Sequence, residues 1–101
     1  FLDRTDERTG YHIFPILVER SEEREAFIQF LKREGVQTSI HYPPIHQFSA
    51  YQELYTSQNH CCEMTESVAS REVTLPFYPN MRDEDVEYIC DVIHNYGQER
   101  L

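Results

Sequence analysis

REAFIQFLKREGVQTSIHYPPIH, residues 24–46, holds the passage from helix to strand on which the fold depends. Phe27, Phe30 and Leu31 recur at helical spacing, with Gln29, Lys32 and Arg33 on the opposite face, so the first half reads as an amphipathic helix. Just upstream, Ser21 stands as the N-cap, with Glu22 and Glu23 in the first turn, where the helix dipole favours carboxylates. Gly35 falls where a left-handed residue closes a helix. Val36 to Ile40 then reads as a strand, stopped by Pro43 and Pro44, neither of which has a backbone donor.

Working outward, YHIFPILV (Tyr11 to Val18) is rich in β-branched and aromatic residues and reads as a strand covered on both faces. Pro15 places an edge or a bulge near it. Downstream, Phe48 to Tyr55 reads as a short helix and Thr56 to Cys62 as a polar loop, while Thr65 caps a helix over Glu66 to Arg71. Val73 to Phe77 reads as a third strand, ended by Pro76 and Pro79. The closing helix spans about Asp83 to His94, with Val86, Ile89, Cys90 and Ile93 on one face and acidic residues in its first turn. Cys90 at such a spacing reads as a small buried hydrophobe. The order strand, helix, strand, short helices, strand, helix makes an α+β domain, a small sheet with helices packed mainly on one face. Residues 1–10 read as a linker or the end of an interdomain segment, 11–97 as the domain and 98–101 as a tail.

The 101 residues suffice for one core and not for two. A net charge of −9 with scattered basic residues lacks the cationic footprint of a nucleic-acid binder. No apolar run approaches the length of a membrane span. The first residues, FLDRTDERTG, are too polar for a signal peptide, and the missing initial methionine points to a piece of a longer chain. Three cysteines, Cys61, Cys62 and Cys90, are an odd number and no disulfide framework, which fits a reducing cytoplasm.

Chemistry-bearing residues are densest in SIHYPPIH, Ser39 to His46. A strand ending in a rigid double-proline turn holds His41, Tyr42 and His46 in fixed directions, as a binding wall requires. Such residues near a turn also serve structure alone. His12 shares a strand face with Phe14, Ile16 and Val18, a core position unless that face lines a cleft. Metal binding has candidates in His41, His46, His60, Cys61 and Cys62, without the Cys-x-x-Cys or His-x-x-x-His spacing that lets two side chains converge on one ion. Cys61 or Cys62 beside His60 is a nucleophile only if the fold turns a base toward the thiol. With glycines only at 10, 35 and 97, there is no glycine-rich phosphate cradle. The single lysine, Lys32, lies on the polar face of the first helix, without the desolvated pocket that activates a Schiff-base lysine. No catalytic residue and no metal ligand is assigned.

Three segments together resemble the C-terminal part of the DegT/DnrJ/StrS family of pyridoxal-phosphate aminotransferases. They are YHIFPILVE with REAFIQFLKREGVQTSIHYPPIH, then MTESVASREVTLPFYPNM, then RDEDVEYICDVIHNY. The resemblance implies the small domain of a fold type I enzyme, with a mostly antiparallel sheet, acting as a homodimer. It implies transfer of an amino group, commonly from glutamate, to a keto carbon of a nucleotide-linked sugar, as in polysaccharide biosynthesis. Pyridoxal phosphate would be held by the absent large domain, so this fragment would bind no cofactor and be inactive alone. His41 and Tyr42, with His46 and His12 behind them, would face the sugar nucleotide by hydrogen bonding and stacking rather than by covalent chemistry. Arg82 departs from the Ser or Thr cap usual there, which would leave the last helix less firmly started. A stand-alone binding module and a His/Cys metal-binding domain are the alternative readings.

Overall fold

Helix α1, Arg24–Arg33, buries Phe27, Phe30 and Leu31 on one side and ends with Lys32 and Arg33, whose charges suit the negative end of the helix dipole. Its closure is the double hydrogen bond expected around a left-handed glycine. The Gly35 N–H donates to the Lys32 carbonyl at 3.1 Å and the Val36 N–H to the Leu31 carbonyl at 2.8 Å. Gly35 has φ +79°, and a Cβ there would touch nothing within 4 Å. The cost of a side chain is therefore backbone strain alone: Gly35→Ala is expected to destabilise the chain by about 1 kcal/mol. Urea unfolding measures this, and a neutral result would mean the turn is not left-handed in solution.

The structure, a computed structural model, describes residues 10–57 and 62–100. In chain order the remaining elements are strand β1 (Phe14–Leu17), a 3₁₀ turn (Ser21–Glu23) before α1, and a second 3₁₀ turn (Ile45–Gln47) after it. They continue with α2 (Ser49–Ser57), α3 (Glu63–Ala69), strand β2 (Glu72–Leu75) and α4 (Asp83–Glu99). The architecture is the expected α+β domain. β1 and β2 pair antiparallel, with Phe14 opposite Leu75, Pro15 opposite Thr74 and Ile16 opposite Val73. Thr74 spends both its N–H and its carbonyl on Ser39, at 2.8 and 3.1 Å. Its pair with Pro15 is thus one across which no ladder bond is due, and the missing proline donor costs nothing.

Several expectations are corrected. Val36 to Ile40 is not a strand; only Ser39 bridges to β2. The backbone donors are committed elsewhere, since the Val36 N–H closes α1 and the His41 N–H goes to the Glu72 carboxylate. Ser21 makes no cap; Arg20 stands at that position, and the first turn is 3₁₀, with the Glu23 N–H on the Arg20 carbonyl. Thr65 lies inside α3, which starts two residues earlier at Glu63, and the third strand ends at Leu75 because Pro76 follows. In α4, Val86 (45% exposed) and Cys90 face solvent, while Ile89 and Val92 are buried and Ile93 and Tyr96 pack against the core. The helix runs on to Glu99, past His94, and this extension shifts the apolar stripe. Tyr96 joins it, its ring centroid 5.0 Å from both Phe27 and Phe30. Arg82 gives α4 no side-chain cap; its guanidinium instead grips Asp85 at 2.9 and 3.0 Å, a bidentate brace on the first turn that also holds the Asp85 carboxyl below its usual range.

The core lies between the α1–α4 layer and one face of the sheet: Phe27, Phe30, Leu31, Val36, Val73, Leu75, Ile89 and Val92. Tyr88 ties the helices further by donating its hydroxyl to the Glu34 carbonyl at 2.7 Å. At the other end Glu23 sits between the guanidinium groups of Arg100 and Arg20, each at 2.5 Å. The hydrogen bonds from Arg100 and then Arg20 draw its carboxyl down from 4.5 to about 2. As pH falls, protons bind the unfolded chain before the folded one. The stabilisation is therefore whole above about pH 4.5 and gone below about pH 2. Comparing the thermal unfolding of wild type and Glu23→Gln from pH 7 downward should show a wild-type advantage that closes across that window. No helix among the described residues is long and apolar enough to cross a membrane.

Candidate functional site

Strand β2 alternates. Val73 and Leu75 enter the core, so Glu72 and Thr74 project from the opposite face of the sheet. Both are nonetheless 5% exposed, because the 39–41 segment folds over them. A buried carboxylate needs donors, and here it has them. Glu72 Oε2 accepts the His41 backbone N–H at 2.9 Å, and Oε1 accepts the Thr74 hydroxyl. The Thr74 oxygen in turn lies 2.9 Å from His41 Nδ1, with Ser39 Oγ more distant at 3.4 Å. Tyr42 packs edge-on against the His41 ring, centroids 4.5 Å apart. The imidazole is thus fixed at its backbone, at one ring nitrogen and at one edge, while no described residue meets Nε2.

His41 forms part of the wall of an open cleft of about 560 Å³, which Thr74, His12, Tyr78, Asp85 and Tyr88 also line. Two of the anticipated residues, His41 and His12, are thereby brought to one cavity. His12 precedes β1 and is exposed rather than in the core. Tyr42 is 62% exposed but lies outside the cleft lining. His46 belongs elsewhere: it sits on the 3₁₀ turn with Nε2 2.8 Å from Glu66 Oε1, joining that turn to α3. His60 and Cys61 lie outside the described residues, and among those described no three His, Cys, Asp or Glu side chains converge as metal ligands. Glu72 and Thr74 were not anticipated. Their signal was the polar–apolar alternation of EVTL, which marks a strand with one polar face that something must cover.

An anchored pyridoxal phosphate needs a sheltered lysine, an acidic partner and a phosphate cradle. The residues here do not fit that group. Lys32 is exposed, outside the lining of the His41 cleft, on a separate open groove beside Ile28 and Gln29. What the cleft offers is an oriented hydrogen-bonding ring beside phenols.

Comparison with known proteins gives this site a context. The chain is 37% identical over 94 residues to the dTDP-3-amino-3,6-dideoxy-alpha-D-galactopyranose transaminase of Aneurinibacillus thermoaerophilus, a match covering 92% of this chain and 24% of that protein. Among solved structures it is similar to Helicobacter pylori PseC, an aminotransferase involved in the biosynthesis of pseudoaminic acid (TM-score 0.72, 26% identity, 83% of this chain and 23% of that one). It is equally similar to the PMP form of the putative sugar aminotransferase Spr1654 from Streptococcus pneumoniae (TM-score 0.72, 29% identity, 89% and 23%). The chain therefore spans about a quarter of the length of the proteins it matches. A model of the DegT/DnrJ/EryC1/StrS aminotransferases matches residues 1–94, nearly the whole sequence, and the chain belongs to that family.

Proposed function

We propose that this chain is the C-terminal small domain of a pyridoxal-phosphate-dependent aminotransferase that moves an amino group, commonly that of glutamate, onto a nucleotide-linked keto sugar. The observation that carries the reading is His41, held from three sides at the wall of an open cleft on a chain of this family. In the whole enzyme the cofactor supplies the electron sink and belongs to the large domain, with the residues that anchor it. The work of this chain is to bind and orient the sugar nucleotide. His41 hydrogen-bonds it, Tyr42 offers an exposed ring for stacking, and His12 adds a second imidazole along the cleft. His46, bonded to Glu66, ties the 3₁₀ turn that follows His41 and Tyr42 to α3.

Exposed Ile45, Phe48, Tyr51, Leu54 and Met64, between the second 3₁₀ turn and the start of α3, supply the apolar surface that contact with a large domain or a homodimer partner would cover. A cytoplasmic enzyme of sugar-nucleotide metabolism, serving polysaccharide assembly, fits this reading.

The test has two parts. Incubation of the chain with pyridoxal phosphate and then borohydride is expected to leave no saturable adduct, and stoichiometric trapping at Lys32 would contradict the division of labour. Gene sequence upstream of Phe1 is expected to encode the lysine-bearing domain; a coding sequence that starts at Phe1 would overturn the reading.

A further inference from the structure

We propose that Glu72 and Thr74 are positioning residues that hold His41 in the tautomer with its proton on Nδ1, so that Nε2 meets the cleft as a hydrogen-bond acceptor. The protons can be counted along the chain of contacts. Glu72 uses both oxygens as acceptors, Oε2 for the His41 backbone N–H at 2.9 Å and Oε1 for the Thr74 hydroxyl. A hydroxyl carries one proton, and Thr74 has given it to Glu72. Its oxygen, 2.9 Å from His41 Nδ1, can then only accept, so Nδ1 must carry the hydrogen. Were Nδ1 bare, two lone pairs would face each other beside a residue only 5% exposed, where the loss of a hydrogen bond is costly. Ser39 Oγ, at 3.4 Å from the same nitrogen, is too distant to decide the matter.

A neutral imidazole has one N–H, so Nε2 keeps its lone pair. This extends the reading of the cleft as a sugar-nucleotide wall and rests on it. The substrate group that Nε2 takes must be a donor, a hydroxyl or N–H of the sugar nucleotide, and not a phosphate or keto oxygen, either of which needs a donor from the protein.

The tautomer can be read without any ligand, from a long-range proton–nitrogen correlation spectrum of the isotope-labelled chain at a pH where the ring is neutral. The wild type is expected to show a protonated Nδ1 and a bare Nε2. In Glu72→Gln the amide oxygen must stay on the His41 N–H, which turns the amide NH₂ toward Thr74. Thr74 then directs its own proton to Nδ1, and the ring proton moves to Nε2, so the tautomer inverts. Thr74→Ser should retain the wild-type form and Thr74→Val should lose it; this pair carries the test if Glu72→Gln does not fold. A wild-type ring protonated at Nε2, or a Glu72→Gln spectrum unchanged from wild type, would overturn the proposal. Failure of the chain to engage nucleotide sugars would strike the functional reading and leave the tautomer assignment standing.

Discussion

Leu31→Ala is expected to remove about 3–5 kcal/mol of stability. Leu31 and Val73 are the two large side chains buried below 2% exposure, and they belong to the layer where α1 meets β2. Deleting the isobutyl group forfeits its transfer free energy and leaves a cavity. That cavity opens inside the cluster that also holds Phe27, Phe30 and Val36, and it cannot collapse freely because the closed C-terminus of α1 fixes Val36. A domain of this length has roughly 5–15 kcal/mol in hand, so the variant should populate the unfolded state well below the wild-type urea midpoint. Leu31→Met, which conserves volume, should cost less than about 1.5 kcal/mol. The comparison separates packing from backbone effects, since Ala is a better helix former than either. A loss below about 1 kcal/mol for Leu31→Ala would mean that the α1–β2 layer is not packed as described.

The helical parts of this fold were legible because their signals are local. Phe27, Phe30 and Leu31 define a face within two turns, and Gly35 closes the helix through bonds that span only five residues. The strand parts were less so. Val36 to Ile40 has strand-like composition, but the Val36 donor is claimed by the α1 closure and the His41 donor, just past its end, by a side chain 31 residues away. Nothing near it in sequence announces either commitment. The phase of α4 failed for a related reason. A stripe on Val86, Ile89, Cys90 and Ile93 and one on Ile89, Val92, Ile93 and Tyr96 are both helical. Only the contact of Tyr96 with the two phenylalanines of α1 selects the second.

The site divides in the same way. His41 and Tyr42 stood out because imidazole and phenol in a double-proline turn are conspicuous, and the structure sets them against each other with His41 at the cleft. His46, five residues on, looked equivalent in sequence, yet it is bonded to α3. The partners of His41 were not singled out, since Glu and Thr in a strand have many ordinary uses. Their meaning depends on the register of Ser39 against Thr74, which brings residue 41 over residue 72.

That register makes Glu72→Leu the second large effect expected here, about 2 kcal/mol of stability together with release of the 39–41 segment. Leucine fills nearly the same volume, and removing a buried carboxylate relieves its desolvation. The His41 N–H, however, loses its acceptor in a covered site, and an orphaned donor costs more than a carboxylate's burial returns once its partners stay behind. Thr74 can turn its hydroxyl toward His41 Nδ1, so part of the loss is recovered through the same residue. It follows that Glu72→Leu and Thr74→Val should not add. A double-mutant cycle in urea is expected to give a coupling of about 1 kcal/mol, whereas additivity within about 0.3 kcal/mol would mean the three groups are not one unit. The backbone amide resonance of His41 should shift in Glu72→Leu well beyond those of Val73 and Leu75 on the core side of the strand. A uniform change across β2 would point instead to general loosening of the sheet, with His41 no more dependent on the carboxylate than its neighbours are.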